Sequence, residues 1–169
     1  MQATRPAILA GVFIITVIVG TLAVASNRRS PGADIVGCSA MEQLRYHVHA
    51  HLTISVEGQE VPVPSNIGIR PDCISWLHTH QANGVIHVEA PNSAAYTMGQ
   101  FFHVWNQPLD ATHLDDHVTD SQHRLIAYVN GQPYSGPPET IPLIAHTVMT
   151  LEYGSPFLVP PPYTFGPGE

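Results

Sequence analysis

From His47 to Val56 the chain alternates strictly. His47, His49, His51, Thr53 and Ser55 occupy the odd positions, and Val48, Ala50, Leu52, Ile54 and Val56 the even ones. Successive side chains of a strand point to opposite faces, so this stretch is a half-buried strand. One face is apolar and the other carries three imidazoles. Glu57-Gly58 can turn the chain, and "QEVPVP" follows as a returning strand. Pro62 and Pro64 make that strand an edge, because proline cannot donate to a ladder.

The pattern recurs in "CISWLHTH" and "VIHVEA", which flank "QANG" at 81–84. Asn83-Gly84 is a strong turn signal. With Gln81 to Gly84 as the loop, His80 faces Val85, His78 faces His87 and Trp76 faces Glu89, and all six share one face. Leu77, Thr79, Ile86 and Val88 share the other. The segment "YTMGQFFHVWNQPL" changes period: Met98, Phe101, Phe102 and Trp105 fall on one helical stripe. Thr97 and Gln100 stand in capping-box spacing before it, and Pro108 ends it. "RLIAYVNGQPY" predicts a further hairpin around Asn130-Gly131, and "ETIPLIAHTVMTLEYG" a last strand. Between them, residues 109–123 are polar and aspartate-rich, a loop or a short helix. With 16 prolines and 13 glycines, short strands and turns prevail over long helices.

These elements predict an α+β domain, mainly antiparallel β hairpins packed on one helix in a β-grasp-like arrangement. A β-sandwich or a cupin-like barrel is the alternative. Three parts are expected: residues 1–30 as a membrane segment with its basic flank, 31–155 as the histidine-rich domain, and 156–169 as a proline-rich tail. Residues 7–25 carry no charge and approach the length of a transmembrane helix. "AVA" at 23–25 also resembles a signal-peptidase site, in which case the domain is secreted. An anchor places the domain on the extracytoplasmic side, with the lipid bilayer and other membrane-protein subunits as partners.

Beyond Ser30 there are three arginines, no lysine and thirteen acidic residues. Such a surface repels nucleic acid and anionic lipid headgroups. The two cysteines, Cys38 and Cys73, predict a structural disulfide in an oxidising compartment.

Neutral imidazoles two residues apart on a strand point the same way and can chelate one ion. His49, His78, His80 and His87 are the first candidate ligands, followed by His51 and His47. Glu89, on the same face, can ligate or orient a ring. An all-nitrogen set in an oxidising compartment suits copper or zinc. The opposing view is a set of polar, partly exposed residues hydrogen-bonded to their neighbours. Met41 and Met98 offer thioethers, but Met98 belongs to the helix core. His113, Asp115, Asp116, His117, Asp120 and His123 form a second, acidic group that reads best as a solvated surface. Nucleophile elbows, dinucleotide fingerprints, Schiff-base lysines, CxxC and haem-attachment motifs are all absent.

Residues 38–159 resemble a family of small bacterial proteins, secreted or membrane-anchored and histidine-rich. "YHVHAHL" at 46–52, "CISWLHTHQANGVIHVEAP" at 73–91, "YTMGQFFHVWNQPL" and "YVNGQPY" carry the resemblance. It implies a single fold with a histidine-bearing centre, and no particular reaction. Three functions remain in view. One is an anchored metal-binding domain for metal handling or a redox role. Another is an accessory subunit of a membrane complex that uses the histidine face as an interface. The third is a zinc-dependent hydrolase or lyase working through metal-activated water.

Overall fold

The computed structural model describes residues 36–169. The apolar stretch 7–25, predicted as an anchor, lies outside them. Among the described residues no helix is long and apolar enough to cross a membrane.

In chain order the strands are β1 (Cys38–Ser39), β2 (Tyr46–Val56), β3 (Gln59–Val61), β4 (Ile69–Arg70), β5 (Cys73–Ser75), β6 (Leu77–His78) and β7 (Val85–Ala90). After helix α1 (Met98–Trp105) come β8 (His113–Leu114), β9 (His117–Val118), β10 (Leu125–Val129), β11 (Gln132–Tyr134) and β12 (Val148–Tyr153). The main sheet runs β11-β10-β12-β2-β7-β6, with β3 added beside β2. All its pairings are antiparallel except β12 with β2, which is parallel. The path is open, with β11 and β6 at its edges. The described residues therefore form no closed barrel, but a mixed, mostly antiparallel sheet packed against one helix. A small sheet, β1-β5-β4, flanks the main one.

The two X-Gly-Gln segments become two-residue hairpins. Val56 pairs with Gln59 and Val129 with Gln132. Glu57 and Gly58, like Asn130 and Gly131, have positive φ at both central positions. That backbone matches the right-handed twist of the flanking strands.

The alternation of β2 decides what each face does. Ala50, Leu52 and Ile54 meet Ile86 and Val88 of β7 and Met149 and Leu151 of β12 in one buried core. Met98, Phe101 and Phe102 of α1 join it, all fully buried. The capping box forms as predicted. The Thr97 amide donates to Gln100 Oε1 and the Gln100 amide to Thr97 Oγ1. The helix stops at Asn106, which takes the left-handed conformation, two residues before Pro108. Asparagine tolerates that conformation, so the break needs no proline.

Cys38 and Cys73 form a disulfide. It joins β1 to the first residue of β5, while Cys38 pairs along the ladder with Ser75 at the strand's other end. The 156–169 tail crosses the sheet's second face. The Leu158 amide donates to Glu152 Oε1, Tyr163 stacks on His51 with ring centres 3.6 Å apart, and Phe165 stacks on His146.

Candidate metal centre

Three adjacent strands set the site. His49 of β2 stands opposite His87 of β7, and His87 stands opposite His78 of β6. His47 stands opposite Glu89. Direct cross-strand partners share a face, so one row carries three imidazoles and the next rung adds an imidazole and a carboxylate.

The side chains converge. Nε2 of His47 and Nε2 of His49 are 3.0 Å apart, and Nε2 of His49 and Nδ1 of His87 are also 3.0 Å apart. Glu89 Oε1 lies 3.2 Å from His87 Nδ1 and 3.2 Å from His47 Nε2. These four atoms close a ring, and every pair in the group lies within 4.8 Å. A second group consists of His78, His80, His87 and Glu89 within the same limit. In it, Nε2 of His78 and Nε2 of His80 are 3.2 Å apart, and His78 Nε2 is 4.0 Å from Glu89 Oε2. A tetrahedral zinc with bonds near 2.05 Å would set its nitrogens about 3.3 Å apart. The observed separations are compatible with donor atoms around a common ion, and the same pairs are at hydrogen-bond distance from one another.

Outer contacts orient the rings. His78 is fully buried and its Nδ1 donates to the Ser75 carbonyl at 2.8 Å. That bond leaves the Nε2 lone pair aimed at the cluster. Ser75 is held in turn by its pairing with disulfide-linked Cys38.

The predicted pairing of His80 with Val85 does not form. Thr79 is drawn off the ladder: its hydroxyl donates to the Pro64 carbonyl and accepts from the Ile67 amide, and its own amide donates to the Ile67 carbonyl. β6 therefore ends at His78, and His80 leaves the strand while its ring stays beside His78.

The other candidates lie apart. His51 is on the same face but belongs to neither group. Its Nε2 donates to the Asn83 carbonyl and its ring stacks on Tyr163. No helix forms over 109–123; His113 and His117 sit in the β8–β9 hairpin, where Leu114 pairs with His117 and His113 with Val118. That register puts the two rings on opposite faces; His113 bonds Asp110, and His117 lies beside Asp116 without a hydrogen bond to it. Met98 is buried in the core and Met41 is exposed. Sequence reasoning missed Glu42, whose Oε1 lies 3.3 Å from His80 Nε2. Glu42 precedes β2 in an irregular segment, so no periodicity marks it. A cavity of about 270 Å³ opens beside the cluster, lined by His80, Gln81, Asn83, Val85, His87 and Glu169.

Burial controls the protonation states. It pushes His78 down to about 4 and His87 down to about 3, with His49 and the other nearby imidazoles adding to the effect on His87. It also lowers His49 and His51. It lifts Glu89 to about 7, with Glu42 adding and His80 opposing. At neutral pH, His78, His87 and His49 are therefore uncharged and available as ligands.

The shifts predict how metal-free protein responds to acid. The unfolded chain protonates His78 and His87 near 6.5, whereas the folded chain resists until about 4 and 3. Stability therefore falls as pH drops from 6.5 towards 4. Glu89 acts the other way, since the folded form keeps its proton up to about 7 while the unfolded form loses it near 4.5. Several imidazoles outweigh one carboxylate, so a net loss of roughly 2–4 kcal/mol is expected across that window. Denaturant titrations of chelator-treated protein at intervals through it measure the slope; a flat profile would contradict the burial argument.

No family model, curated protein or solved structure matches the chain.

Proposed function

We propose that this protein is a membrane-anchored, extracytoplasmic domain that binds copper or zinc through its histidine face and serves metal handling. The observation carrying the proposal is the closed ring of donor atoms from His47, His49, His87 and Glu89, each 3.0–3.2 Å from the next. Nitrogen donors with one carboxylate suit copper(II) and zinc, and no thiolate is available because both cysteines are bonded to each other. The charge-free stretch at 7–25 supports anchoring, and the disulfide pairing supports an oxidising compartment. We read the topology as β-grasp-like, with the last strand lying parallel beside the first long one.

The test is the metal content of the full chain purified without a histidine tag from cells supplied with copper and zinc. At least one equivalent of either ion per chain is expected. Protein that is metal-free as isolated, and binds neither ion tightly when titrated, would overturn the proposal.

A second reading, as an accessory subunit of a membrane complex, draws on Met41 and Leu44. Both are exposed, and they flank Glu42, which reaches His80. Mild solubilisation separates the two readings. A stoichiometric partner chain lost on mutating Met41 and Leu44 to serine favours a subunit, and a lone metal-loaded chain favours metal handling.

A further inference from the structure

Glu89 sits between the two donor groups and belongs to both. Its two oxygens face different ways. Oε1 lies 3.2 Å from His47 and His87, and Oε2 lies 4.0 Å from Nε2 of His78. The residue is 3% exposed, and Oε2 has no hydrogen-bond partner. A buried carboxylate with an orphaned oxygen is costly unless it keeps its proton or a cation compensates it. One ion in the ring of His47, His49 and His87 uses Oε1 and leaves Oε2 orphaned.

A single ion cannot use all the nitrogens either. Nδ1 of His87 is 3.0 Å from His49 and 3.2 Å from Glu89 Oε1, within the first ring. His78 and His80 present a separate pair of Nε2 atoms 3.2 Å apart, with His78 Nε2 4.0 Å from Glu89 Oε2. The two groups share only His87 and Glu89.

We infer that the histidine face holds two metal ions bridged by the Glu89 carboxylate. One ion takes His47, His49, His87 and Glu89 Oε1. The other takes His78, His80 and Glu89 Oε2. This inference rests on the metal-binding reading above and extends it to a dinuclear centre.

The two positions differ in access. The first has four protein donors and is closed. The second has three, so it keeps a position for water or another small oxygen-donor ligand, and the 270 Å³ cavity walled by His80 and His87 lies beside both. Two ions bridged in this way stand about 3.5–4 Å apart, close enough to clamp one oxyanion or bridging hydroxide between them.

Copper(II) titration of the chelator-stripped, tag-free full chain tests this, read by bound copper and by electron paramagnetic resonance. Two equivalents per chain are expected. The first should give the signal of an isolated ion, and the second should diminish it through coupling across Glu89. His80→Ala, at a partly exposed position, should lower the stoichiometry from two to one and restore the isolated signal, with the circular dichroism spectrum unchanged. Glu89→Gln, where it folds, should abolish the coupling. One equivalent in the wild type would overturn the dinuclear centre and leave the metal-binding reading standing. Two uncoupled equivalents, or two that survive His80→Ala, would also overturn it. No bound copper would overturn the dinuclear copper centre, and failure of zinc to bind in the same titration would overturn the metal-binding reading as well.

Discussion

Replacing His87 with alanine is expected to lower metal affinity more than 100-fold at the ring it shares with His47, His49 and Glu89. No other histidine of the face has its position. His87 lies on the middle strand of the three, opposite His49 on one side and His78 on the other. It is also the one imidazole common to both donor groups. Losing only an orienting partner of a ligand costs about 10–100-fold in affinity. Loss of a central ligand must exceed that. The ring is partly exposed and lies on the side of the sheet away from the apolar core, so the substitution should leave the fold intact. Isothermal titration with zinc, beside a thermal melt of the metal-free form, separates the two effects. Ion-induced stabilisation should disappear while the metal-free melting temperature stays near that of the wild type. Unchanged zinc affinity would show that the converging nitrogens do not act together.

Reducing the Cys38–Cys73 bond, or replacing both cysteines with serine, should cost about 4 kcal/mol of stability, as the chain-entropy relation gives for a loop of this length. The separation is 35 residues, and that loop contains β2, the longest strand. The consequence extends to the site. The bond holds β1 against β5, and the Ser75 carbonyl at the end of β5 fixes the ring of His78. Reduction should therefore weaken metal binding as well as lower the melting temperature. Melts with and without reductant, each with and without zinc, measure both. A melting temperature indifferent to reductant would remove the disulfide from the account of stability.

Much of this arrangement is legible in the sequence because a strand's period is two. That period alone puts His47, His49 and His51 on one face and predicts that His78 faces His87 across the hairpin, as it does. The capping box at Thr97 is equally local. What sequence could not supply came from contacts between distant segments. Adjacency of β2 and β7, which brings His49 to His87, follows no local pattern. His51 obeys the alternation, yet the tail's Tyr163 and the Asn83 carbonyl take its ring. His80 breaks the predicted pairing because Thr79 finds partners at Pro64 and Ile67. Glu42 lies in an irregular segment just after β1, which the disulfide, pairing with β5 and the Trp76–Ser39 bond hold beside the second hairpin.

The parallel union of β12 with β2 has a consequence for the order of assembly. All six candidate ligands fall between residues 47 and 89, in neighbouring hairpins. The other flank of β2 must wait for Val148 to reach His51. Bringing such remote segments together is slow, because loop-closure entropy is lost before any contact compensates it. During refolding an ion can thus meet a finished set of ligands on an unfinished sheet, and the rate of that last docking becomes sensitive to whether the metal arrives early or late.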